Sequence, residues 1–163
     1  MQEALKKVKA FKGSQKDGIG MMLEEVQRFT HSPISYFATV DESTQVFTMV
    51  GWSKSVMENC ALITKPIVYV ISETGLWGDA YRERRACIEN DYPNCTKPTK
   101  KGQPKGHVDI KRHMNVPCFA NDEDNEIIGV LGVGNKEAEY TEADAKLMQQ
   151  FIEEAWPILE ELD

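Results

Sequence analysis

Between Gly75 and Lys136 the chain concentrates the residue types from which a small-molecule pocket is built. Trp77 and Tyr92, with Tyr36 and Phe47 upstream, offer aromatic walls. Arg82, Arg85, Asn90, Asp91, His107, Arg112 and Asn135 offer polar groups that can orient a ligand. An arginine fork suits a carboxylate or a phosphate. Each residue also has a plainer reading. Trp77 and Tyr92 can be packing residues, and Asn90 and Asn135 can satisfy backbone groups at strand ends. Asn90-Asp91-Tyr92-Pro93 reads as a turn, because Asn and Asp side chains cap turns. His107 follows a glycine and reads equally as an exposed loop residue. The density of the cluster, more than any one member, points to the wall and lid of a pocket.

Other chemistries fit less well. Cys60, Cys87, Cys95 and Cys118 contain no C-x-x-C pair, so in a cytosolic chain they read as free thiols. A metal set drawn from Cys87, Cys95, His107, His113 and Cys118 matches no zinc spacing. Haem through His107 or His113 has no support either. No Ser-His-Asp arrangement or carboxylate pair stands out. Gly129-x-x-Gly132-x-Gly134 lies within a strand pattern and is a packing feature, not a dinucleotide fingerprint. No catalytic residue, metal ligand or cofactor is therefore assigned; the expected ligand is an unidentified small organic molecule.

These residues need a scaffold, and 163 residues suit one domain. The net charge of −7 argues against general nucleic-acid binding, with a local basic exception from Lys97 to Lys111. No apolar run reaches the roughly 20 residues of a membrane span. The first residues lack the apolar core of a signal peptide, so a cytoplasmic location without membrane contact is expected.

In chain order, residues 1–12 carry Ala4, Leu5, Val8 and Phe11 at helical spacing. After Gly13-Ser14, Asp17 can cap a second helix with the stripe Ile19, Met22, Leu23, Val26 and Phe29. Ile34–Val40 and Gln45–Trp52 read as a hairpin, and residues 53–61 as a short helix. Ile67–Ile71 is a third strand, 75–85 a helix, and 86–89 a short strand. The lysine-rich loop 94–106 reads as mobile, and 108–114 as a helical turn or irregular segment. Asn115–Ala120 and Glu126–Gly134 form a second hairpin around an acidic turn. Thr141 and Asp144 signal the start of a final helix, where Pro157 predicts a kink or break. The order lacks steady alternation of strand and crossover helix, so an α+β fold with an antiparallel sheet is expected.

This order, with these residues, resembles the GAF domain, the small-molecule sensing module of bacterial histidine kinases and cyclic-nucleotide enzymes. The likeness rests on Trp52-Ser53 with Cys60; Gly75-Leu76-Trp77; Arg82-Glu83-Arg84; Asn90-Asp91-Tyr92; and Pro104-Lys105-Gly106-His107. It continues through Arg112, Val116-Pro117 and Val133-Gly134-Asn135-Lys136, with Tyr140 and Asp144. Residues 1–16 fall outside it and read as a helical arm or linker before a domain over 17–163. The resemblance implies about six antiparallel strands between terminal helices and a pocket on the opposite face. It further implies dimerisation through the terminal helices and an attached or partner kinase or diguanylate cyclase. The ligand-binding set would be Trp77, Arg82, Asn90, Asp91, Tyr92, His107, Arg112, Asn135 and Tyr36. Two alternatives stand beside this sensor: a ligand-free dimerising spacer, and an enzyme like the GAF-related reductases of free methionine sulfoxide. Against the reductase, Cys118 follows Val116-Pro117, whereas that family's reactive cysteine lies upstream of the corresponding strand.

Overall fold

The computed structural model describes residues 1–53, 67–101, 109–120 and 125–163. Two helices lead, α1 (Gln2–Ala10) and α2 (Gln15–Thr30). Strands β1 (Ile34–Asp41), β2 (Val46–Trp52) and β3 (Ile67–Val70) follow. Two 3-10 turns, Ile71–Glu73 and Leu76–Gly78, lead into a short helix α3 (Asp79–Arg82). Then come β4 (Cys87–Glu89), β5 (His113–Phe119), β6 (Ile127–Gly134) and the long helix α4 (Glu142–Glu160). The strands form one antiparallel sheet in the order β3-β2-β1-β6-β5-β4. This is the expected α+β architecture.

The helices cover one face. Period-3.6 stripes from α1 (Leu5, Val8), α2 (Met22, Val26) and α4 (Met148, Phe151, Ile152, Leu159) meet Phe37, Met114, Val116 and Leu131 of the sheet. Burying each such side chain contributes roughly 1.5–3 kcal/mol. These apolar stripes are thus covered within a single chain. Helix α1 belongs to the same core, and Lys7 of α1 pairs with the buried Glu25 of α2 at 2.7 Å.

Several local expectations change. Ser14, not Asp17, caps α2, its Oγ accepting the Asp17 N–H at 3.2 Å. The 75–85 stretch is a 3-10 turn followed by four residues of α-helix, not one helix. Strand β5 begins at His113, two residues early, because His113 pairs with both Glu89 and Gly134. The capping box of Thr141 and Asp144 forms as read. Helix α4 runs unbroken through Pro157, with Ala155, Trp156 and Leu159 buried around it, so packing of the last turns outweighs the hydrogen bond that the proline forgoes. Residues 54–61 of the expected short helix, Cys60, His107 and the acidic turn at 121–124 lie outside the described residues.

On the other face, alternation along the strands places Ala38, Phe47 and Val130 against Ile71 of the first 3-10 turn and Ala80 of α3 in a second, smaller core. Gly132 lies between Tyr36 of β1 and Asn115 of β5. A Cβ at Gly132 would collide with the Tyr36 ring and Asn115 Oδ1. Gly132→Ala should therefore cost about 1–3 kcal/mol in urea unfolding. Gly20→Ala, in open space within α2, should add up to about 1 kcal/mol. Equal effects at the two glycines would refute this account.

Candidate functional site

The sheet face away from the terminal helices carries the site. On β5, His113 and Asn115 alternate with the core residues Met114 and Val116 and lie opposite Glu89 and Cys87 of β4. Asn115 is 1% exposed, and a buried amide requires partners. Its Oδ1 accepts from the Tyr36 hydroxyl, and its Nδ2 donates to His113 Nδ1 at 2.7 Å. With Nδ1 accepting, the proton of the neutral imidazole sits on Nε2. Burial is the main influence lowering the His113 pKa to about 4; Glu89 opposes the shift and Lys97 adds to it. Burial also raises the Tyr36 phenol well above its ordinary value. At neutral pH the chain Tyr36–Asn115–His113 is therefore uncharged and has a defined direction.

His113 borders a shallow, half-open cleft lined by Leu76, Asp79, Cys87, Ile88, Glu89, Lys97 and His113. The Tyr92 ring meets His113 edge-on, with centroids 5.6 Å apart, and Lys100 Nζ stands 4.7 Å from the Tyr92 centroid. Beside the cleft, Trp77 packs against Tyr36 (5.6 Å), Phe47 (4.8 Å) and Tyr69 (5.3 Å), forming a continuous aromatic wall.

The structure places Trp77, Tyr36 and Tyr92 in or beside this face. Other expected ligand contacts are engaged by protein groups. Arg82 donates to Asp79 Oδ1 (2.7 and 3.0 Å), to the carbonyls of Ile71 (3.0 Å) and Gly75 (2.6 Å), and to Thr74 Oγ1 (2.9 Å). It thereby rivets the 71–82 segment. Asn90 brackets the Tyr140 backbone, donating to its carbonyl (3.1 Å) and accepting its N–H (2.8 Å). Asp91 is exposed and accepts from Asn94. Asn135, at φ 65°, accepts from Lys111 N–H and donates to the Asp109 carbonyl, each at 2.7 Å. Arg112 Nη1 donates to the Lys136 and Glu137 carbonyls, while its buried Nε has no hydrogen-bond partner among the described residues. His107 lies outside the described residues.

Sequence reasoning missed Asn115, Glu89, Lys97 and the bond from Thr99 to Asp79 Oδ2 (2.8 Å), which ties the 94–101 loop to α3. Only Asn115 left a signal, as an amide inside the apolar run Met114–Val116. The cysteines diverge. Cys118 lies in the helix-side core, its Sγ 3.9 Å from the Ile152 carbonyl, while Cys87 shares the opposite face with His113. One metal site cannot draw on both. Burial, reinforced by Glu83, raises the Cys87 thiol to about 11, and burial raises Cys118 as well. Both positions therefore disfavour the thiolate that a thiol reductase needs.

An antiparallel sheet with terminal helices on one face and a small polar cleft on the other defines a single α+β domain. The chain belongs to the GAF domain family, whose sequence profile matches residues 19–160. It is 39% identical over 159 residues to the methyl sulfide methyltransferase-associated sensor of Methanosarcina acetivorans, covering 97% of this chain but only 16% of that protein. The GAF domain of an Acinetobacter phosphoenolpyruvate-protein phosphotransferase superposes with a TM-score of 0.73 at 15% identity, over 98% of this chain and 89% of that one. Residues 122 to 287 of a methyl-accepting chemotaxis protein give 0.72 at 12% identity, over 96% and 94%. The free methionine-R-sulfoxide reductase of Neisseria meningitidis gives 0.69 at 13%, over 98% and 87%. At such identities these structures establish the fold alone. Among the described residues, no helix is long and apolar enough to cross a membrane.

The His113 environment sets a pH dependence. Its folded pKa of about 4 lies below an unfolded value of about 6.5. Between these values the unfolded chain binds the proton and the folded chain does not, so stability falls as pH drops through that window. Relative to His113→Gln, the wild-type protein should lose up to about 1.4 kcal/mol per pH unit there. Urea unfolding at a series of pH values reads this directly; parallel curves for the two proteins would overturn the assignment.

Proposed function

We propose that this GAF domain is a sensory module that binds a small organic molecule between the 91–112 loop and the sheet, and reports it through its terminal helices. The observation that carries the reading is the chain Tyr36–Asn115–His113, which runs through the sheet face and ends in the cleft. A sheet needs no such chain for stability, since an apolar filling avoids the requirement to satisfy each buried polar group. The Methanosarcina acetivorans relative, itself described as a sensor, lends support. Trp77 and Tyr92, whose rings stand beside Tyr36 and His113, are the proposed aromatic walls.

A route to the helices is present in the contacts. Glu89 lines the cleft, and the next residue, Asn90, holds Tyr140 immediately before the Thr141 cap of α4. A ligand that displaces β4 bears on the start of α4, and shifts its equilibrium only by the difference in its affinity for the two states. The output is a kinase or diguanylate cyclase, attached or in a partner chain. A homodimer formed along the terminal helices would use their outer surface, where Leu147 is exposed, because the inner stripes are already covered.

Thermal shift with a panel of carboxylates, amines, amino acids, purines and aromatics tests the reading, alongside native mass spectrometry of the purified protein. At least one class should raise Tm, and Tyr36→Phe, which removes only the hydroxyl from the chain, should weaken its binding about tenfold. A panel without any shift, together with an empty protein by mass, would defeat the proposal.

A further inference from the structure

We infer that Tyr140 is the joint through which a displacement of β4 reaches both terminal helices at once; its use as a relay rests on the sensory reading above. Tyr140 lies in the link between β6 and α4, immediately before the Thr141 cap. It is 3% exposed, so its polar groups need partners within the protein. Those partners come from three separate segments.

On one side stands β4, which borders the cleft with Cys87, Ile88 and Glu89. The next residue, Asn90, takes both backbone groups of Tyr140 with its side-chain amide. An amide that donates and accepts at once holds a residue as a ladder partner would. On the other side stands the end of α2. The chain leaves that helix through His31, at φ 53°, and the Ser32 N–H returns to the Gln27 carbonyl at 3.0 Å. Ser32 is therefore fixed by the helix itself, and its Oγ lies 2.7 Å from the Tyr140 hydroxyl. Thr30 Oγ1 donates to the Val26 carbonyl (2.6 Å) and Ser32 Oγ to the Thr30 carbonyl (3.2 Å). With those protons placed, the Tyr140 hydroxyl donates to Ser32 and accepts the Lys136 N–H at 3.2 Å. Thr30 and Ser32 are buried as well. A phenyl ring would fill the same space without requiring a buried partner, so what the hydroxyl adds is connection, not volume.

The far ends of the two helices are also joined. Gln15, which opens α2, donates through Nε2 to the carbonyls of Leu159 (3.3 Å) and Glu160 (3.2 Å) at the end of α4. Antiparallel helices pinned at both ends do not slide past one another unless a bond breaks. A pull at Asn90 therefore moves α2 and α4 as one body against the sheet, rather than α4 alone.

Amide hydrogen exchange by NMR reads this joint without any ligand. The reporters are the Ser32 amide at the end of α2 and the Ala145 amide, bonded to the Thr141 carbonyl at 3.1 Å, in the first turn of α4. Asn90→Ala should speed exchange at Ser32 about fivefold or more, and Ser32→Ala should do the same at Ala145, because coupling is reciprocal. Once Tyr140→Phe has removed the hydroxyl, neither effect should cross, each far amide changing by less than about twofold. Ser32→Ala removes a single hydroxyl and decides the point by itself if Asn90→Ala does not fold. Effects confined to the substituted side while Tyr140 is intact overturn the joint, as do effects that cross equally after Tyr140→Phe. That failure leaves the sensory reading standing, whereas a ligand panel without response defeats the sensory reading and leaves the measured coupling in place.

Discussion

The structure depends on a short polar chain crossing an otherwise apolar sheet. Tyr36 on β1 reaches Asn115 on β5 over the bare backbone of Gly132 on β6, and Asn115 holds His113. Burial makes the chain demanding, because an unsatisfied amide in this position would cost about 1–3 kcal/mol. It also holds the imidazole neutral. The donor offered to the cleft is thus set by strand register and by the absence of one side chain.

The helix-side core makes that arrangement rigid. Met114 and Val116, on either side of Asn115, point into the core packed by α1, α2 and α4. A period of two along β5 therefore divides the strand between its two duties, one face for stability and the other for chemistry. The same division separates the cysteines and removes Cys118 from any chemistry in the cleft.

Most of the arginines and asparagines that looked like ligand contacts have a different task. Arg82, Asn90, Arg112 and Asn135 hold carbonyls and N–H groups of irregular segments that have no ladder to satisfy them. Loops around a site need such anchors, and so they cluster where ligand-binding residues cluster. Residue type alone does not separate the two roles. Trp77 packs against Tyr36, Phe47 and Tyr69 on the face away from the helices, as the plainer packing reading of an aromatic in this stretch allows. Glu89 and Lys97 were illegible as neighbours of His113, since strand pairing and loop path bring them to the cleft.

By itself the sequence determined the element order, the apolar stripes of the helices, the Thr141–Asp144 capping box and, through the joint order of its motifs, the GAF family. These are local or periodic properties, written in residues close together along the chain. Tertiary structure alone decided that α1 joins the core, that β5 starts at His113, and that Tyr36 meets Asn115 across a gap of 79 residues. Those outcomes depend on strand order and register, which bring distant residues to one face of the sheet, and no spacing within a single segment encodes them.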